Sequence, residues 1–277
     1  MKFGDFEITA HIFGYFRLDG GAMFGSVPKN IWSKSIAADE ENCIRLAMRS
    51  LVIRHEGRVF LIDTGIGEKW SDKYRKIFAI DNTPADKLGF KPEQVTDLIL
   101  THLHFDHAGG VSRLNEDGTL SLVYPSARHY LQRANLENAK NPSLKERASY
   151  LKENVEPLEQ AELVLLEGTN EIYPGITVYQ IDGHTRGQQM VEIRSEDQAM
   201  IFPTDLIPTS HHLPVPFHMG YDNCAETVLK EKSELLKRAL DENMLIVFEH
   251  DADVEAARIT VNDRGHYAVK EQVSLAG

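Results

Sequence analysis

Three histidines and an aspartate fall within six residues of one another, in Thr101-His102-Leu103-His104-Phe105-Asp106-His107-Ala108-Gly109-Gly110. The segment follows directly on an apolar run, 97–101, that reads as a strand covered on both faces. Packing does not explain so many polar side chains at a strand end. Imidazole and carboxylate are ordinary ligands of zinc and similar divalent ions. In extended chain His102 and His104 point the same way, because the side-chain period is two. Asp106 and His107 then turn the chain, at a helix start, toward a second position. The spacing presents one pair to one metal and another pair to a neighbouring metal.

Four ligands from one loop do not complete two coordination spheres, so the rest must come from later strand ends. Asp182-Gly183-His184-Thr185 follows a strand expected over Ile176–Ile181. Phe202-Pro203-Thr204-Asp205 ends a hairpin expected from 190–194 and 199–202. Phe248-Glu249-His250-Asp251 ends a strand over 244–248. Each of these is weakly informative alone. In order, and each at a strand end, they point to His184, Asp205 and His250 as further ligands.

The remaining pattern supplies a frame for such a site. Residues 6–16, 44–53 and 58–62 read as strands, the last two joined at Glu56-Gly57 as a hairpin. A short helix is expected at 84–88 and a connection at 91–94. Residues 225–243 have helical spacing, with Val228, Leu235, Leu236, Ala239 and Leu240 on one face and Asn223 with Glu226 as a capping box. Strands then helix, twice over, suggest two sheets face to face with helices outside. No linker, repeat or low-complexity tract interrupts the chain, so residues 1–277 read as a single domain.

Lys plus Arg number 30 against 42 for Asp plus Glu, a net charge of −12. A surface of that sign disfavours nucleic acid as a partner. No apolar run approaches a membrane span, and Met1-Lys2-Phe3-Gly4-Asp5 opens no signal-peptide core. The two cysteines, Cys43 and Cys224, are expected to be reduced, and the location cytoplasmic.

The His-x-His-x-Asp-His segment, followed by Gly183-His184, Asp205 and His250, resembles the metallo-β-lactamase superfamily, with the match running from the Asp63-Thr64-Gly65 turn to His250. The resemblance implies an αββα sandwich of two mixed sheets with outer helices, and the metals at one edge. It implies that His102, His104 and His184 hold one metal, that Asp106, His107 and His250 hold the other, and that Asp205 bridges them. Asp63 would support the turn rather than bind metal. The cofactors are expected to be two divalent ions, zinc first, with manganese, iron or cobalt acceptable to the same ligands. Two such ions can share a water and lower its pKa toward neutrality, with Asp106 as the catalytic carboxylate that orients it and passes on its proton.

Two further stretches resemble the quorum-quenching lactonases and their organophosphate-hydrolysing relatives, the methyl parathion hydrolase-like branch. One is Leu18-Asp19-Gly20-Gly21-Ala22-Met23-Phe24-Gly25-Ser26-Val27-Pro28-Lys29 with Trp32-Ser33-Lys34. The other runs from Asp205-Leu206-Ile207-Pro208-Thr209 through His211-His212, Pro214, Pro216 and Gly220-Tyr221-Asp222. By that resemblance the 20–34 loop lies over the metals, and Met23, Phe24 and Trp32 form an apolar wall for an acyl chain. His211, His212 or Tyr221 would contact substrate. One departure stands out: the tyrosine that such lactonases carry soon after the bridging aspartate is absent from Leu206-Ile207-Pro208-Thr209. The expected activity is hydrolysis of a small-molecule lactone or ester, N-acyl homoserine lactones first. Phosphotriesters and aryl esters are the alternative substrates, and a catalytically idle metal-binding protein is the alternative of another class. A homodimer is the default assembly.

Overall fold

The computed structural model describes residues 1–275. Its first sheet runs in the order Lys2–Phe3, Phe6–Asp19, Cys43–His55, Arg58–Ile62, Asp97–Ile99, Arg128–Gln132, Glu162–Leu166, with Asp81–Asn82 paired to the side of Phe6–Asp19. The early strands pair antiparallel, whereas Arg58–Ile62, Asp97–Ile99, Arg128–Gln132 and Glu162–Leu166 are parallel. The second sheet runs Asn170–Tyr173, Ile176–Ile181, Gln188–Ser195, Gln198–Phe202, Leu245–Val247, Ala256–Val261, Tyr267–Val273, with one parallel pair, Gln198–Phe202 against Leu245–Val247.

Alternation along the strands sorts apolar residues into layers. Leu51, Ile53, Phe60, Ile62 and Ile99 face Val178, Val191, Ile193, Met200, Phe202 and Val247 between the sheets. Their chain neighbours Val52, Leu61, Leu98 and Leu100 point outward, under Val111, Tyr124, Leu131, Val155 and Leu158. On the far side Ile201, Ile246 and Phe248 lie under Val228, Leu235, Leu236 and Ala239 of helix Ala225–Asp241. The unbroken apolar run 98–100 is thus explained: its residues serve both faces of a covered sheet. The architecture is the expected αββα sandwich.

Local expectations differ in two places. The segment 84–88 holds one 3₁₀ turn, Ala85–Lys87, with no α-helix. Helix Ala225–Asp241 has Cys224 as its N-cap with no side-chain cap bond. Asn223, expected there, instead donates its side-chain amide to Glu146 Oε2 at 2.5 Å, a charge-assisted hydrogen bond that commits the side chain away from the helix end. Cys43 and Cys224 are both free thiols.

Candidate metal centre

The strand ends converge at one edge of the sandwich, and the backbone there is bent to suit. Asp63, just past Arg58–Ile62, has φ of 57°, and Thr204, just past Gln198–Phe202, has φ of 48°. A β-branched residue in the left-handed region is strained. Thr204 is held there by its own Oγ1, which accepts from Gln188 Nε2 at 2.7 Å and from the Asp205 N–H. The turn aims Asp205 into the centre. Gly109 and Gly110 close the first motif by close approach: a Cβ on Gly109 would stand 2.2 Å from Ile66 O, and one on Gly110 2.3 Å from Thr64 O.

Seven buried side chains form two adjoining groups: His102, His104, His184 and Asp205, and then Asp106, His107 and His250. In the first, His104 Nδ1 lies 3.1 Å from His102 Nε2 and 3.2 Å from His184 Nε2. Asp205 Oδ2 is 3.1 Å from His184 Nε2 and 3.8 Å from His102 Nε2. In the second, His250 Nε2 is 3.2 Å from His107 Nε2, and Asp106 oxygens are 3.8 Å from each. Asp205 reaches this group too, at 3.4 Å to His107 and 3.0 Å to His250. A tetrahedron built on bonds of about 2.0–2.1 Å has edges of about 3.3 Å, so the donors are spaced as ligands. Asp205 Oδ1 and His104 Nε2 are buried without a hydrogen-bond partner, and unpaired buried polar atoms need an explanation. A cation among these donors supplies one for Asp205.

The outward nitrogens are fixed by residues behind them, which leaves the inward nitrogens free to coordinate. His184 Nδ1 meets Asp222 Oδ1 at 2.8 Å, and His250 Nδ1 meets Ala47 O at 2.8 Å. His102 Nδ1 is 3.1 Å from Thr101 Oγ1, whose own proton goes to Asp63 Oδ2 at 2.6 Å. His107 Nδ1 lies 3.1 Å from both Asp63 Oδ2 and Glu249 Oε1. Asp63 therefore stands behind the ligands, tied also to Thr101 N at 2.8 Å.

Burial pushes every imidazole of the centre toward neutrality, and local charge decides which yield. His102 is driven well below the ordinary range by burial and by the histidines around it. His107 is raised well above it, because Glu249, Asp205 and Asp106 outweigh burial. His184 and His250 rise to about 10 and about 9, with burial opposed chiefly by Asp205. Asp205, against the cost of its own burial, is held well below the usual carboxylate range by His107, His250 and His184. An anionic pocket of this kind collects protons until a metal ion replaces them.

The centre opens on a cavity of about 380 Å³, with His104, Asp106, His184, Asp205 and His250 among its lining residues and Phe16, Leu18, Met23, Leu46, Phe78, Phe105 and Met219 as apolar wall. Lys145, Glu146, Ser149 and Tyr221 line it as well. Of the residues expected to touch substrate, Met23 and Tyr221 are in this wall. Phe24 and Trp32 are not. They stack on each other at 5.3 Å in the core, where Trp32 is 1% exposed, and Phe24 stacks on His212 at 4.5 Å. His212 is buried, between Thr209 Oγ1 and Met23 O at 2.7 and 2.8 Å, and His211 lies outside the cavity lining. Phe24 and Trp32 were expected at the substrate from the loop resemblance over 20–34, and His211 and His212 from that over 205–222; packing instead puts the two aromatic rings and His212 in the core beside Met23.

Sequence reasoning missed Glu146. Its carboxylate takes hydrogen bonds from Asn138 at 2.9 Å, Thr185 at 2.8 Å and Asn223, and stands 3.9 Å from His104 Nε2. Burial opposes ionisation, but His104 and these three donors hold its carboxyl at about 2. Tyr150, whose ring packs 4.8 Å from that of His104, joins the same network through Thr185. Nothing in the 141–151 sequence marks it as part of a site.

Residues 49–250 match the family model of the metallo-beta-lactamase superfamily. The chain belongs to that superfamily. Within it, the N-acyl homoserine lactonase of Bacillus cereus is 30% identical over 172 residues, which cover 61% of this chain and 61% of the lactonase. The chain thus spans about three fifths of the length of the curated relatives it matches first. Solved structures share the fold. A probable metal-dependent hydrolase from Staphylococcus aureus superimposes with a TM-score of 0.87 at 28% identity, over 99% of this chain and all of the other. AidC, a dizinc quorum-quenching lactonase, shares the fold with a TM-score of 0.77 at 19% identity, over 99% of this chain and 97% of its own. Among the described residues no helix is long and apolar enough to cross a membrane.

Proposed function

We propose that this superfamily member is a dinuclear metal-dependent hydrolase that opens lactones, N-acyl homoserine lactones first. The observation that carries the reading is the pair of ligand clusters sharing Asp205 at an apolar cavity. His102, His104, His184 and Asp205 would hold one divalent ion, and Asp106, His107, His250 and Asp205 the other, zinc first. Bound there, two such ions supply an acidified water and stabilise negative charge on a carbonyl oxygen. The chain's own groups do the rest. Asp106, in the cavity lining, accepts the proton that water loses on adding to the carbonyl carbon. It returns that proton to the ring oxygen as the C–O bond breaks, giving the hydroxy acid. Tyr221, its phenol pushed up to about 12 by burial and by the Asp19 and Asp106 carboxylates, stays protonated and donates to the substrate carbonyl. It takes the place of the tyrosine absent from 206–209. Phe16, Leu18, Met23 and Met219 receive the acyl chain and exclude water. The whole of 1–277 acts as one domain, in the cytoplasm, as a homodimer without nucleic acid.

The test is metal content with turnover on one sample, a long-chain N-acyl homoserine lactone beside a phosphotriester. Two metals per chain with lactone opening supports the reading. Two metals with turnover of the phosphotriester alone moves the substrate class and keeps the centre. Less than one metal per chain after reconstitution, without turnover, removes the proposal.

A further inference from the structure

A lysine stands on the apolar face of helix Ala225–Asp241. Lys232 is fully buried on the same face as Val228, Leu235, Leu236 and Ala239. A buried ammonium is tolerated only when its donors are matched. Here three donors meet three carbonyls: His212 O at 3.0 Å, Pro214 O at 3.2 Å and Phe217 O. All three acceptors belong to one short stretch, and from 213 to 224 the chain has neither helix nor strand.

What this stretch carries gives the contact its meaning. Beyond Phe217 the chain supplies Met219, Gly220 and Tyr221 to the cavity wall. It then reaches Asp222, whose carboxylate binds Met219 N and His184 Nδ1, both at 2.8 Å. The same stretch holds the facing wall: His212 Nε2 donates to Met23 O at 2.8 Å, and Gly220 N to Ala22 O at 2.8 Å. Elements with no ladder of their own keep one conformation only through such ties.

We propose that Lys232 is a positioning residue for substrate: its ammonium gathers the carbonyls of 212–217 and so sets where Met219, Tyr221 and Met23 stand around the cavity. An apolar side chain in its place would leave the carbonyls of His212 and Phe217 without their donor, Pro214 O keeping only Phe217 N, and the stretch would move to find water. The effect on turnover rests on the hydrolase reading above; the ordering of the wall does not.

The experiment uses the full chain loaded with zinc, as wild type, Lys232→Met and Lys232→Arg. Hydrogen exchange, metal content and steady-state kinetics with long- and short-chain lactones are read together. In Lys232→Met the amides of 213–222 should exchange at least about tenfold faster, while those of 188–202 keep their protection. KM for the long-chain lactone should rise about tenfold with metal content unchanged, and kcat should fall by no more than the roughly tenfold that losing the Tyr221 hydrogen bond costs. Lys232→Arg, which keeps the charge, should recover most of both. Unchanged exchange at 213–222 overturns the proposal. So does acceleration spread evenly over the chain, or a loss of kcat together with metal. Should Lys232→Met fail to fold, Lys232→Gln, which keeps two donors, is read by the same criteria. If the wild type opens no lactone, the exchange result still decides the ordering role.

Discussion

His102 and His107 come from one turn of chain, both are fully buried, and their imidazoles are displaced in opposite directions. The contrast extends to the clusters they belong to. Around His102 the nearest partners are imidazoles and a hydroxyl, with Asp205 at 3.8 Å, Asp222 behind His184 and Glu146 at 3.9 Å from His104. Around His107 stand Asp106, Asp205, Asp63 and Glu249. Residue type is the same; what differs is the charge that the surrounding carboxylates bring up. In the first cluster burial and neighbouring imidazoles hold His102 and His104 low, and only His184 is raised. The second is an anionic site in which both imidazoles, His107 and His250, are raised and must lose protons to a metal.

This comparison can be broken by removing its shared member. Asp205→Ala should empty both clusters, with metal content near zero and a loss of turnover beyond the roughly 10–100-fold that changes behind the ligands cost. If one metal per chain persists, Asp205 belongs to a single cluster. His104→Ala and His250→Ala should each leave about one metal per chain, from opposite clusters.

The pH dependence of metal uptake sharpens it. Protons on raised imidazoles compete with metal, so affinity is full above the raised values and falls as pH drops through them. With His250 at about 9 and His184 at about 10, uptake should weaken steadily from pH 9 to 6. Each proton released contributes up to about tenfold per pH unit. The second cluster should release two protons and the first one, and calorimetry in buffers of differing ionisation heat counts them. Equal counts would erase the distinction.

Smaller effects test the shells. Asp222→Asn removes the lone carboxylate behind His184 and should weaken the first metal about tenfold or more. Glu249→Gln should cost less, since Asp63 still faces His107 Nδ1 and Glu249 is itself pushed up by burial, with His107 opposing and Asp63 adding to the shift. A larger loss in Glu249→Gln than in Asp222→Asn would reverse the ranking. Tyr221→Phe should be the mildest, lowering kcat/KM on a lactone by about threefold to tenfold with metal content intact, as expected for one hydrogen bond.

The seven ligand-type residues were legible in the sequence because their meaning is local. Extended chain just past Asp97–Ile99 sets His102 beside His104, the turn at Phe105–Ala108 redirects Asp106 and His107, and His184, Asp205 and His250 each follow a strand whose apolar pattern announces it. The layers were legible for the same reason, since the unbroken apolar run along 97–101 and helical spacing along 225–243 read out which faces are covered. The cavity walls and the residues behind the ligands were not. Glu146 and Lys232 are common charged residues whose sequence neighbours do not distinguish them from surface charges, and Asp222 and Glu249, though they sit in quoted motifs, carry no sign there of which imidazole they face. Phe24 and Trp32 looked like a flap because a glycine-rich aromatic loop serves equally well as wall or as core. Only packing between segments far apart in the chain settled which side chains turned inward, and with them the charge around each imidazole, because burial and Coulomb terms depend on distance in space and not on distance in sequence.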